Sequence, residues 1–269
     1  MTLSRWRELY AGHFRVTLIR YMAYRVELVI WLISMILQPV VFLVVWQTAA
    51  GGLGGVLNGF TRTDLAGYFI LAMLVNHLTM SWLMFEWDGR VRNGDLSYLL
   101  LRPHHVIHRD LGENITFKTA TAPVMLLTAA GLTLFFGPTV QTDLTAALAF
   151  VPALLLAYAL RFTSDWTAAM GALYTERVEA VNVVYFFVLL LFSGQMAPLP
   201  LLPETIQSVA AFLPFRWMID FPVRLAMGRL TTPEIWTGLM AQAGWVAALT
   251  MIRLLVWSHG LKRYTAVGL

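Results

Sequence analysis

"AVNVVYFFVLLLFSGQMAPLPLLP", residues 180–203, runs for twenty-four positions without a charged side chain and ends in closely spaced prolines. A membrane-crossing helix needs about 20 mostly apolar residues, with roughly 17 as the lower limit. The stretch does not alternate apolar and polar residues as a membrane barrel strand does. Five further uncharged runs accompany it, at 28–61, 65–85, 119–142, 144–160 and 235–252. Hydrophobic residues make up 58% of the 269 and charged residues 13%, where an average soluble domain carries about a quarter charged. Mean hydropathy is +0.67. Lipid offers backbone polar groups no partner, so helices are expected to satisfy them internally. The fold class is therefore an all-α integral membrane protein with six transmembrane helices, predicted at 28–48, 65–85, 119–136, 144–166, 180–195 and 235–257.

Charge placement orients these spans. With the N-terminus in the cytoplasm, residues 1–27, 86–118, 161–179 and 253–269 lie inside and hold fifteen of the nineteen Lys and Arg. Arg62, Arg216, Arg224 and Arg229 remain outside. That is the positive-inside bias, and it puts both termini in the cytoplasm. The net charge of +4 follows topology and implies no nucleic-acid partner. Five arginines in the first 27 residues, followed by a long apolar run, are not expected to form a removable signal. There is no cysteine, which excludes disulfides and thiolate metal sites.

Between the spans, residues 3–21 place Leu3, Trp6, Leu9, Tyr10, Phe14 and Leu18 at helical spacing among arginines. The pattern predicts an amphipathic helix in the inner interface, basic face toward anionic lipid. Pro39 marks an expected kink in the first span, and "AAGGLGGVLNG" at 49–59 reads as a flexible outer turn. Residues 196–230 are apolar but broken by Pro198, Pro200, Pro203, Pro214 and Pro222. Two short helices, 204–212 and 215–228, fit between the breakers and predict a re-entrant outer hairpin between helices 5 and 6.

"HRDLGENITFKT" at 108–119 carries the outlines of two catalytic signatures. A kinase catalytic loop needs asparagine four residues after the leucine, where Ile115 stands, and here Asn114 comes one residue early. A phosphate loop needs glycine immediately before Lys118-Thr119, and Phe117 stands there. No catalytic residue is assigned. His104 and His108 are spaced for a shared helix face, but no glutamate sits between them as in H-E-x-x-H, so a solvated loop is preferred over metal. Arg161 and Asp165 form an intramembrane pair at i, i+4. Counting places it near the inner headgroups, where anchoring by a snorkelling arginine outweighs a transport role.

"RNGDLSYLLLRP" at 92–103, "LYTER" at 173–177, "FSGQMAPLPLLP" at 192–203, "LPF" at 213–215, then Pro222 and Gly228, occur in that order. Together with the spans, they resemble the permease subunits of type-2 ATP-binding-cassette exporters, in the bacterial branch encoded apart from its ATPase. Gln195 departs from the small or apolar residue usual in such relatives. The resemblance implies residence in the bacterial inner membrane and no cofactor bound by this chain. ATP and Mg would be held by two soluble ATPase subunits. A second permease, identical or homologous, would complete the path. It further implies that the loop 86–118 docks on the ATPase, through Arg90, Arg92, Gly94, Asp95, Leu96, Arg102, Pro103 and Arg109. Asp95 is expected to cap a short coupling helix that Pro103 ends. Helices 2 and 5 would line the path, offering Met73, Asn76, Met80, Asn182, Phe186 and Phe192 to a hydrophobic or amphipathic cargo, cationic ones included. Ser193, Gly194, Pro198, Pro203 and Pro214 would shape the outer hairpin. The alternative is a secondary transporter driven by an ion gradient, which the absence of Asp and Glu from the six apolar runs disfavours.

Overall fold

The computed structural model describes residues 3–52, 54–175 and 178–264. Glu176 and Arg177 of the "LYTER" motif and residues 265–269 lie outside the described residues, as does the side chain of Leu3. The chain is 82% helical. Its elements are α1 (Leu3–Ala23), α2 (Arg25–Gly52), a two-strand hairpin β1 (Val56–Leu57) and β2 (Phe60–Thr61), α3 (Arg62–Thr79), α4 (Leu83–Arg92) and α5 (Asp95–Leu100). There follow α6 (Val106–Phe136), α7 (Leu144–Ala169), α8 (Val178–Phe192), α9 (Glu204–Ala211), α10 (Asp220–Ala226) and α11 (Thr232–Arg263).

Five segments among the described residues are long and apolar enough to cross a membrane: Arg25–Gly52, Arg62–Arg92, Val106–Phe136, Leu144–Leu173 and Thr232–Arg263. The sixth predicted span folds as the 15-residue α8, shorter than its uncharged run because Ser193 and Gly194 (φ +87°) turn the chain. α3 is the central helix. Buried residues make up 67% of its apolar stretch, against 6% for α11, because α2, α6, α7 and α10 all pack on it. α7 lies along α11.

Several expectations about the connections change. The chain runs helically through Pro39, as it does through Pro123 and Pro152. The glycine-rich turn contains a hairpin, with Asn58 at φ 43° and Gly59 at φ 78°, the left-handed pair that two-residue hairpins require. The 86–118 segment is no loop: α4 ends at Arg92, α5 occupies 95–100 and α6 already begins at Val106. Helix persists over 106–118 because no proline or turn chemistry interrupts it and its charges find partners inside. Trp6, Leu9, Tyr10, Phe14 and Leu18 of the predicted stripe are half-buried, but their cover is protein: α1 packs on α6, with Trp6 4.4 Å from the His108 ring and Tyr21 5.7 Å from Phe117. Beyond α8, a 3-10 turn at Leu199–Leu201, α9, a second 3-10 turn at Phe215–Trp217 and α10 form the proline-broken segment that leads to α11.

Candidate functional site

The helix that began as one predicted span, 65–85, is broken at Met80–Trp82. No proline or glycine lies there. The Met80 carbonyl that the break frees accepts from Lys118 Nζ at 2.5 Å and from Asn114 Nδ2 at 3.2 Å, both on α6. The lysine of the apparent phosphate loop is thus buried, and it also donates to Asn114 Oδ1 at 2.8 Å. Backbone polar groups in an apolar setting need such partners. Beside the break, Ser81 donates to Asp165 Oδ2 at 2.8 Å, and Tyr185 of α8 donates to Oδ1 at 2.6 Å. Arg161 Nε lies 3.2 Å from the same carboxylate. Arg161 and Asp165 are 1% and 0% exposed. The pair therefore faces the bundle interior, and the snorkelling expectation is corrected: Tyr185 of α8 and Ser81 in the break supply partners that headgroups were expected to supply.

A cavity of about 370 Å³ opens next to this network. α2 contributes Met35 and Gln38, α3 Asn76, α7 Arg161 and α8 Phe186, with Met80 at the break and Gln195 beyond α8. Of the predicted path residues, Asn76, Met80 and Phe186 line it. Met73 instead packs against Leu32, Ile70 and Met125. Asn182 is buried, and Phe192 packs on the segment beyond α8, around Ala197 and Leu199. Trp82 and Phe85 separate this cavity from a larger one of about 640 Å³ on the side of α1, whose rim carries Arg20, Glu27, Glu86, Arg90 and Asp95. Phe85 stacks on Phe186 at 5.8 Å, and Trp82 lies 4.5 Å from Trp31.

The predicted coupling residues divide into two groups. Leu96 and Leu99 of α5 enter a core with Leu83, Trp87 and Trp166. Tyr98 and Leu101 on the other side are 59% and 86% exposed, flanked by exposed Arg92, which pairs with Asp88, and by Arg102, which bonds the Tyr98 hydroxyl. Arg90 is internal. It pairs with Asp110, with Glu86 at 2.7 Å and with Glu113 at 3.6 Å. Asp110, fully buried, also accepts from the indoles of Trp87 at 3.1 Å and Trp166 at 2.8 Å. Arg109 lies 3.0 Å from Glu113. "HRDLGEN" is thus an internal tie between α4, α6 and α7, which corrects its assignment to an exposed docking surface. Pro103 follows the end of α5 at Leu100 by three residues.

Asp95 is the first residue of α5, and the capping position falls to Gly94, at φ +77°. A β-branched side chain there is strained by about 1–2 kcal/mol. Gly94→Val is expected to lower the thermal unfolding midpoint in detergent, while Gly89→Val, where a side chain meets open space, shifts it less. The three histidines diverge. His105 Nδ1 accepts from the Ile107 N–H at 3.2 Å, His108 meets Tyr10 at 3.0 Å and His104 faces the His13 ring. Burial, with Arg253 next in weight, holds the His105 imidazole below its ordinary pKa, which keeps Nδ1 free to accept.

One node escaped sequence reasoning. Asp220 is fully buried at the opposite end of α3, where its Oδ1 accepts from the Tyr68 hydroxyl at 3.1 Å and the Leu199 N–H at 3.3 Å. Its own N–H donates to the Ser193 carbonyl at 2.8 Å, and Tyr68 also donates to the Gly194 carbonyl at 2.8 Å. Ser193 and Gly194 therefore hold the segment between α8 and α11 to the central helix. Pro198 and Pro203 open the Leu199–Leu201 turn and α9, and Pro214 opens the Phe215–Trp217 turn. The signal was a lone carboxylate in "FRWMIDFP" at 215–222.

Over residues 29–268 the chain matches the family model described as ABC-2 family transporter protein. No curated protein matches it.

Proposed function

We propose, on the premise that this chain belongs to the ABC-2 family of transporter proteins, that it is the permease subunit of an ATP-driven exporter. Membership makes it the membrane component of an ATP-binding-cassette transporter, with ATP hydrolysed on partner subunits. In the fuller reading it pairs with a second permease in the bacterial inner membrane and docks two ATPase subunits at its cytoplasmic face. Both termini are cytoplasmic, α1 rests at the inner interface, and the segment 193–230 re-enters the outer leaflet. The cargo is a hydrophobic or amphipathic small molecule.

The observation that carries this reading is the construction of α5. One side is fixed into the core by Leu96 and Leu99, while the other exposes Tyr98 and Leu101 between two arginines. An apolar pair ringed by charge is what a protein partner covers. α5 packs on α4, and α4 carries Phe85, which stands in the wall between the two cavities. Movement of a docked ATPase thus reaches the cavity through two packed helices rather than a slack loop.

Arg92→Glu with Arg102→Glu is expected to reduce ATPase co-purification and ATP-driven transport in vesicles by about tenfold or more, as lost charge complementarity at a docking surface does. Folding should be unaffected, since both side chains are at the surface. A doubly reversed chain that still retains its ATPase and transports normally overturns the docking assignment. Transport that persists with a catalytically dead ATPase but collapses with the ion gradient would favour secondary transport instead.

A further inference from the structure

The cavity between α2 and α8 has a chemical asymmetry that bears on its occupant. Arg161 is its charged lining residue among those described, and no carboxylate joins it there. Its Nε is engaged by Asp165, but its Nη1 is buried without a hydrogen-bond partner. Asn76 Oδ1, on the same lining, is unpartnered as well. Asp165 cannot easily supply more, because Ser81 and Tyr185 already occupy it. Behind the wall, Lys118 Nζ is taken up by the Met80 carbonyl and Asn114 Oδ1, so Arg161 is the basic group left to meet an occupant of the cavity. A charged donor left unmatched away from water costs more than a neutral one, and the cost is recovered when an acceptor arrives.

Beside the polar Ser34, Gln38 and Gln195, the lining offers apolar, adaptable side chains, among them Met35, Met80, Phe186 and Leu189. Its volume of about 370 Å³ falls in the range of sites for drug-sized ligands, roughly 300–1,000 Å³. We propose that this cavity binds an amphipathic molecule by an anionic oxygen head, carboxylate or phosphate, donated to by Arg161, with its hydrocarbon body against Met35, Met80 and Phe186. Treating that molecule as cargo rests on the transport reading above. The Asn76 and Gln38 amides, each able to turn nitrogen or oxygen inward, complete the head site. The cationic cargo admitted at the sequence level is disfavoured, since a quaternary ammonium would meet a guanidinium.

The test uses the whole chain in phosphatidylcholine nanodiscs without ATPase, at pH 8. Two probes of equal length, pyrenyldodecyl phosphate and pyrenyldodecyl-trimethylammonium, are titrated and read by tryptophan-to-pyrene energy transfer, with empty nanodiscs subtracted. The phosphate should bind about tenfold more tightly, as one charge-assisted hydrogen bond provides. Arg161→Gln should erase the preference. Gln38→Glu leaves the ion pair intact and places a carboxylate on the lining, so it should reverse the order even if the first variant misfolds. Equal affinities in the wild type, or an unchanged order in Gln38→Glu, overturn the proposal. Repeating the titration with one third phosphatidylglycerol separates sources. Displacement identifies a resident lipid, no displacement a diffusing amphiphile, and both uphold the site. ATP-driven transport with no phosphate preference would sink this inference alone, whereas the preference without ATP-driven transport would sink the transport reading alone.

Discussion

Asp110→Ala is expected to destabilise the protein by about 2–5 kcal/mol, the range set by stranding two buried indole donors and one partner of a buried arginine. The carboxylate holds Trp87, Trp166 and Arg90 at once. Its loss leaves both indole N–H groups facing apolar surroundings. Arg90 retains Glu86 and Glu113, and relief of repulsion among three carboxylates offsets part of the damage, which keeps the figure below that of a fully stranded charge. Asp110→Asn preserves one acceptor and should cost less. Asp88→Ala breaks only the half-exposed pair with Arg92, and surface pairs contribute about 0–1 kcal/mol. Thermal unfolding in nanodiscs ranks the three. If Asp110→Ala melts beside Asp88→Ala, the internal tie is not what holds α4, α6 and α7 together.

Gly194→Val should be nearly as damaging, by a different route. The residue sits at φ +87°, and a side chain added there would meet the Tyr68 hydroxyl and the Asp220 side chain. Left-handed strain costs about 1–2 kcal/mol, and forcing atoms into a packed site about 1–3 kcal/mol more. The variant should melt well below the wild type and release the segment between α8 and α11, seen as faster amide exchange over 196–228. Gly244→Ala, in open space within α11, should be neutral or slightly stabilising. Unchanged exchange in Gly194→Val would show that the contact of Tyr68, Gly194 and Asp220 is incidental.

The apolar runs could be read because a helix that buries little of itself must be apolar along its whole length, so position along the chain suffices. Gly94 and the Asn58-Gly59 hairpin carried a local signal too, since left-handed backbone selects residue type, but the turn was expected to be flexible and the cap was expected at Asp95. The break at Met80–Trp82 was not. "LTMSWL" at 78–83 contains no breaker, and its stabilising donors arrive from Lys118 and Asn114, more than thirty residues away. Asp110 and Arg90 misled for a related reason: a charge outside an apolar run looks solvated until the helix carrying its partner is placed. Of the residues expected to line a path, three, Asn76, Met80 and Phe186, reach the cavity, while Met73 shows that a helical face can serve packing rather than a lumen.

Fifteen residues of α8 rise about 22 Å, against about 30 Å of hydrocarbon in an ordinary bilayer. Val183, Val184 and Phe187 are exposed, so on the proposed reading, in which α8 crosses the membrane, the lipids beside it would have to pinch inward by several ångströms or yield to another protein surface. On that reading acyl-chain length would be a mechanical setting for one wall of the cavity, with thin bilayers relaxing the helix and thick ones pulling on both of its ends.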